Sequence, residues 1–126
     1  MYYKKLALLG LAIFSLSGCS DDSADSGENT KNKTPGLSEG QALFAKNCAG
    51  CHGRGGKGTD QGPPFIHKIY EPNHHGDASF YRAAEKGVRA HHWKFGDMPP
   101  VKDVSRSELT KIISYIRHIQ GKAGIF

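Results

Sequence analysis

The sequence is poor in cysteine and has only three, at Cys19, Cys48 and Cys51. It has no second Cys-x-x-Cys pair and no His-x-x-x-His spacing, the patterns that would complete a structural zinc site. No alternating apolar and polar run surrounds Cys48 and Cys51, although a thioredoxin-like redox pair would require a βαβ setting. No motif of a nucleophilic enzyme occurs either. Few chemistries therefore remain for the two closely spaced cysteines.

Long apolar runs are scarce as well. The run Leu6–Leu16 follows the basic residues Lys4 and Lys5 and is too short to span a bilayer as a mature helix. It is typical of an export signal. The adjoining Leu16-Ser17-Gly18-Cys19 resembles the lipobox of bacterial lipoproteins, in which the cysteine becomes an acylated N-terminus. We therefore expect a signal peptide over 1–18 and lipidation of Cys19, with an unmodified Cys19 as the alternative.

Residues 20–36 contain no large apolar side chain. A segment of this composition cannot bury enough surface to offset the entropy lost on ordering. We expect 19–36 to be an acylated cysteine and a flexible polar tether, which joins a single folded domain over 37–126 to a membrane. The predicted location is the bacterial cell envelope, with the domain on the periplasmic or other extracytoplasmic side.

The stretch Cys48-Ala49-Gly50-Cys51-His52 has the spacing of a haem c attachment signature. Both thiols can add to the vinyl groups of one haem as thioethers, and His52 then lies where it can bind the iron as the proximal ligand. With Cys19 lipidated, no cysteine remains for a disulfide. A zinc site that combines Cys48, Cys51 and two later histidines is the alternative.

A second candidate iron ligand lies in Met98-Pro99-Pro100. Met98 is the only methionine besides Met1, so no other thioether remains once a signal peptide is removed. The two prolines restrict the loop that follows it. A soft thioether favours Fe(II) and so raises the reduction potential. The alternative is that Met98 fills a gap in the core.

Three segments of the predicted domain have helical periodicity. They are Gly40–Cys48 after an N-cap at Ser38, Ala78–Lys86 before Gly87, and Glu108–Gln120 between an N-cap at Ser107 and a stop at Gly121. The last helix should cross the first near Gly40, where the missing side chain permits close contact. The glycine-rich stretch 53–64 is predicted to be a loop.

Together these features resemble class I, or mitochondrial-type, cytochrome c domains from Leu37 to about Gln120. The shared pattern is a helix ending in Cys-x-x-Cys-His, a Gly-Pro loop, a Met-Pro loop and an aromatic C-terminal helix. The resemblance implies an all-α fold, with three to four helices wrapped around one covalently bound haem c. It further implies that the Pro63 carbonyl orients His52, and that Gly40 and Phe44 pack near Tyr115.

Two histidine pairs depart from the general pattern of this family: His74-His75 and His91-His92. Together with Trp93, the second pair lies close before the Met-Pro loop. We expect contact with the haem propionates here, with Trp93 as the candidate, or simple exposure to solvent. As an alternative, the four imidazoles converge on a copper or zinc ion.

The charge distribution bears on partners. From Leu37 onward, thirteen Lys or Arg residues face eight Asp or Glu residues. A basic domain can steer acidic redox proteins towards it, although ordinary solvation explains the surplus equally well. We expect redox proteins as partners, a membrane contact through the N-terminal lipid, and no nucleic acid.

These observations predict a membrane-tethered monohaem electron carrier, with no catalytic residues and no enzymatic activity of its own. One alternative is a haem-based sensor or enzyme in which the Met98 ligand is labile. Another is a copper-handling accessory protein that uses the histidine pairs.

Overall fold

The computed structural model describes residues 35–126, so the predicted signal peptide over 1–18, the predicted lipidation site Cys19 and the predicted tether up to residue 34 lie outside it. Within 35–126 the fold is all-helical, with no strand, which confirms the predicted fold class. The α-helices are α1 (Pro35–Asn47), α2 (Ala49–His52), α3 (Asp77–Lys86) and α4 (Arg106–Lys122). None of these helices has the length and apolar character needed to cross a membrane.

Helix α1 begins earlier than the sequence pattern indicates. It starts at Pro35, so the predicted N-cap at Ser38 is wrong, and the last two residues assigned to the tether are helical. Proline is favoured at the first helical position because its fixed φ suits a helix and its missing N–H would be unpaired there. The helix ends at Asn47, and Cys48 then caps the short α2 instead of closing α1.

Helix α4 is also longer than predicted. Its N-cap is Ser105, not Ser107: the Ser105 hydroxyl accepts from the Glu108 backbone N–H, and the Glu108 carboxylate accepts from the Ser105 N–H at 2.8 Å. This reciprocal capping box outcompetes a lone serine. Gly121 is not a stop, because the helix continues to Lys122. Helix α3, in contrast, matches its prediction to within one residue and ends at Lys86, with Gly87 as its C-cap.

The core forms where α1 crosses α4. A side-chain carbon at Gly40 would collide with the backbone carbonyl of Lys111, so only glycine permits this approach. The crossing at Gly40 is therefore confirmed. Phe44 is 1% exposed and its ring lies 5.3 Å from that of Tyr115, the contact that the family resemblance implies. The buried face of α4 continues through Ile112.

The segment from Phe65 to Asp77, the first residue of α3, is called loop 65–77, and Arg117 fastens it to α4. Its guanidinium donates to the carbonyls of Tyr70 (2.9 Å) and His75 (2.5 Å) and pairs with the Asp77 carboxylate at 2.8 Å. It also donates to the amide oxygen of Gln120 at 2.7 Å, and the Gln120 amide nitrogen bonds to the Tyr70 carbonyl at 3.1 Å. These bonds fix the loop on the face of the cavity described below.

The loop 88–98 is closed at its ends by an antiparallel bridge. Val88 and Met98 exchange two backbone hydrogen bonds of 2.9 Å, and the Asp97 carboxylate accepts from the Ala90 N–H at 2.8 Å. Gly87 precedes the bridge with φ +76°, and a side chain there would press on the Met98 carbonyl. The backbone of Met98 is therefore held by specific contacts.

Replacing Gly40 with alanine should destabilise the fold. The added methyl would force α1 away from the Lys111 carbonyl, so we expect urea denaturation to show a loss of about 1–3 kcal/mol. Gly36→Ala is the matched control, because it lies in the same helix with no atom within 4 Å of the added carbon. Its stability should be unchanged or raised by up to about 1 kcal/mol. Equal effects of the two changes would contradict the close crossing.

Replacing Arg117 with glutamine should lower the free energy of unfolding more than replacing Arg106, another ion-paired arginine of α4. The change removes charge-assisted bonds to two loop carbonyls, and we expect a loss of about 2–3 kcal/mol in denaturant unfolding. Arg106→Gln removes an exposed ion pair with Glu85, which is worth at most about 1 kcal/mol. If Arg106→Gln is the more harmful change, Arg117 does not anchor the loop.

Candidate haem site

The end of α1 and the whole of α2 present the attachment motif. Cys48 is half-buried at the N-cap of α2, Cys51 is exposed one turn later, and the two thiols form no disulfide. Burial, and secondarily the neighbouring Cys51, raises the pKa of the Cys48 thiol to about 11. The thiol is therefore protonated at neutral pH. Both sulfurs are carried by one rigid turn, as attachment to one macrocycle requires.

His52 ends α2 and is only 8% exposed. Its Nδ1 lies 2.9 Å from the Pro63 carbonyl oxygen, which can only accept a hydrogen bond, so the proton sits on Nδ1 and the Nε2 lone pair is available. The Phe65 ring stacks on the imidazole at 4.2 Å. Burial lowers the pKa of His52, against the opposing effect of the Pro63 bond. The neutral imidazole, the form that binds metals, is therefore favoured.

These residues border a single cavity of about 830 Å³. Its size falls in the range of roughly 300–1,000 Å³ that is usual for cofactor sites. Five residues singled out from the sequence line it together: Cys48, Cys51, His52, Pro63 and Met98. The structure therefore brings the candidate attachment residues and both candidate axial ligands to one space.

The chemistry of the cavity wall suits a large, flat and mostly apolar group. Phe65 and Phe80 line it from the loop and α3, and Leu109, Ile112 and Ile116 line it from α4. Such a wall excludes water and favours an apolar macrocycle.

The wall also contains one orphaned polar atom. Trp93 Nε1 is buried and has no hydrogen-bond partner of normal geometry in the described part of the chain. The indole does lie close enough to Tyr70 to lower the pKa of its hydroxyl against the larger effect of burial. A buried donor without an acceptor is unfavourable, and a haem propionate would supply the acceptor. The cavity therefore fits a haem.

The two histidine pairs also come together on this cavity wall. His74 and His75 on loop 65–77 meet His91 and His92 on loop 88–98, and all four border the cavity. The rings of His91 and His92 are 4.2 Å apart, and those of His75 and His92 are 5.1 Å apart.

Sequence reasoning missed three residues that build the site: Phe65, Arg117 and Gln120. Gln120 is 1% exposed and donates to the Phe65 carbonyl at 3.0 Å, so it positions the ring that stacks on His52. A signal was present in the sequence, because Gln120 lies on the apolar stripe of α4, four residues after Ile116. A polar side chain at such a position has to find buried partners.

Comparison with known proteins agrees with this geometry. The Cytochrome c family model matches residues 37–120, two thirds of the chain. No curated protein and no solved structure shows significant similarity to this chain. The matched span includes the attachment motif, Pro63 and Met98, and the family implies a covalently bound haem c and a role, typically non-enzymatic, in electron transfer. From its fold, its cavity and this match, the chain belongs to the cytochrome c family.

Proposed function

We propose that this protein is a membrane-tethered, monohaem c-type cytochrome that carries single electrons between redox partners outside the cytoplasm. The observation that carries the proposal is the placement of Cys48, Cys51, His52 and Met98 around one apolar cavity. A haem held there supplies a one-electron iron couple.

The protein residues divide the binding tasks among them. Cys48 and Cys51 would form the thioethers to the haem, and His52 Nε2 and the Met98 thioether would ligate its iron. Pro63 fixes the imidazole through Nδ1, as partners of metal-bound histidines commonly do. Since these protein groups would hold the iron and no nucleophile or acid–base pair is assigned, we assign no catalytic residue.

The surroundings of the haem would set its reduction potential. A thioether ligand and an apolar wall both disfavour the additional charge of Fe(III) relative to Fe(II). The Trp93 indole N–H is suited to donate to a propionate, because it is buried and has no hydrogen-bond partner of normal geometry within residues 35–126. Such a bond disperses negative charge near the iron, which also disfavours Fe(III) and therefore raises the reduction potential.

The membrane attachment is proposed from the sequence. Lipidation of Cys19 after removal of 1–18 would anchor the chain, and residues 19–34 would lead to α1. The domain would then act in the bacterial cell envelope, on its periplasmic or extracytoplasmic face. Its excess of basic residues favours redox partners with an acidic docking surface.

The spectrum of the ferric haem-loaded protein tests the assignment of Met98. Wild type should show the weak long-wavelength band of Met-to-iron charge transfer, and Met98→Ala should lose it because no other thioether is available. Val101→Ala, which trims another residue of the cavity wall, should keep the band. If wild type lacks the band, the sixth ligand is not Met98, and a sensor or enzyme with a different or open position becomes the better reading.

Removal of the Trp93 N–H should lower the midpoint potential. Trp93→Phe keeps an aromatic ring but leaves the propionate charge less compensated, which stabilises Fe(III). We expect a fall of a few tens of millivolts in redox titration, where roughly 59 mV is a tenfold change for one electron. Phe126→Leu, at an exposed aromatic residue that does not line the cavity, should leave the potential unchanged. An unaltered potential in Trp93→Phe would exclude the propionate contact.

A further inference from the structure

Three imidazoles outside the haem attachment motif lie at metal-binding separation. His74, His75 and His92 each offer one ring nitrogen, and these three atoms lie within 4.8 Å of one another. No other group of three or more His, Cys, Asp or Glu side chains within residues 35–126 has this geometry.

The closest pair already has the spacing of two ligands on one ion. His74 Nε2 and His92 Nε2 are 3.4 Å apart. Two nitrogens bound at 2.0–2.1 Å are separated by about 3.3–3.4 Å in a tetrahedral zinc site. In the square-planar geometry of Cu(II) neighbouring nitrogens are about 2.8–3.0 Å apart, so a copper ion would draw this pair slightly closer. The third nitrogen, on His75, has only a short distance to move towards the other two. His74 and His92 are exposed and His75 is half-buried, so the side chains have room to adjust.

A hydrogen bond to the backbone orients the imidazole of His75, the third residue of the group. His75 Nδ1 donates to the Ile69 carbonyl at 2.5 Å, which leaves the Nε2 lone pair free. Metal-bound histidines usually carry this kind of bond, which fixes the tautomer and the ring plane. Arg117 holds the His75 carbonyl, so the backbone of this residue is anchored as well. His91 has the same arrangement through the Arg89 carbonyl at 2.8 Å and lies beside His92.

Binding requires an unprotonated ring nitrogen on each histidine and access for the ion from solvent. The exposure of His74 and His92 gives an ion a route of entry from solvent.

We propose that His74, His75 and His92 form a second metal site, separate from the haem iron, that takes one divalent transition-metal ion and prefers Cu(II). Imidazole ligands suit copper and zinc, and for a given ligand set the affinity for Cu(II) exceeds that for Zn(II). Three protein ligands leave at least one position for water or for a ligand from a partner. Electron transfer at the haem does not require this site.

Copper titration of the ferric haem-loaded full chain tests the proposal. Cu(II) would be added against citrate as a competing chelator, which offers only oxygen ligands, with electron paramagnetic resonance to detect nitrogen ligands. We expect wild type to bind one equivalent with nitrogen ligation, and His74→Gln/His92→Gln to bind it at least about 100-fold more weakly, since loss even of outer-shell partners costs 10–100-fold. His118→Gln is the matched control, because His118 lies on α4 outside the cluster and should bind copper like wild type.

Equal copper affinity in wild type and the double variant would overturn the proposal, because any binding would then lie elsewhere, for example at other surface histidines. If the double variant in that case also has a shifted haem potential, these imidazoles are assigned to the propionates. If the double variant misfolds by circular dichroism, His92→Gln alone replaces it, because this imidazole is exposed and its hydrogen bond is to His74.

Discussion

The contact of Gly40 with the Lys111 carbonyl determines how the rest of the domain is arranged. Because no side chain separates the backbones, α1 lies directly on α4, and the rings of Phe44 and Tyr115 meet one turn beyond the crossing. Cys48 follows α1 without a linker, and its N–H still bonds to the Phe44 carbonyl at 2.9 Å. The helix crossing therefore sets where the thiols and His52 stand relative to the apolar face of α4.

Helix α4 serves two tasks that require opposite chemistry. Its isoleucines give the haem cavity an apolar wall, whereas Arg117 and Gln120 on the same helix pair with backbone carbonyls of loop 65–77. Burial of Gln120 is tolerable because its amide finds partners on both its oxygen and its nitrogen. The helix thereby positions Phe65 behind His52 and holds His75 at the rim of the cavity, and both polar atoms of the Gln120 amide remain paired.

The sequence predicted best what depends on local spacing. The attachment motif is read from five consecutive residues, and α3 is bounded by Gly76 and Gly87, so both could be placed in advance. The starts of α1 and α4 were predicted less well. Pro35 and the Ser105–Glu108 capping box begin these helices, instead of the predicted N-caps Ser38 and Ser107. The links from Arg117 to loop 65–77 join residues forty or more positions apart, and no local pattern indicates them.

Loop 88–98 connects the two proposed metal centres physically. It carries His92 near its middle and Met98 at its end, and the Val88–Met98 bridge and the Asp97 carboxylate brace it between them. An ion on His92 would restrict the same loop that delivers the thioether to the iron, so each ligation event would reduce the ordering entropy that the other has to overcome. By thermodynamic reciprocity, if the ion strengthens the binding of Met98 to the iron by some factor, the binding of Met98 to the iron strengthens the affinity for the ion by the same factor. Any coupling between the two sites therefore depends on how much ordering the Val88–Met98 bridge and the Asp97 contact leave to the ligands.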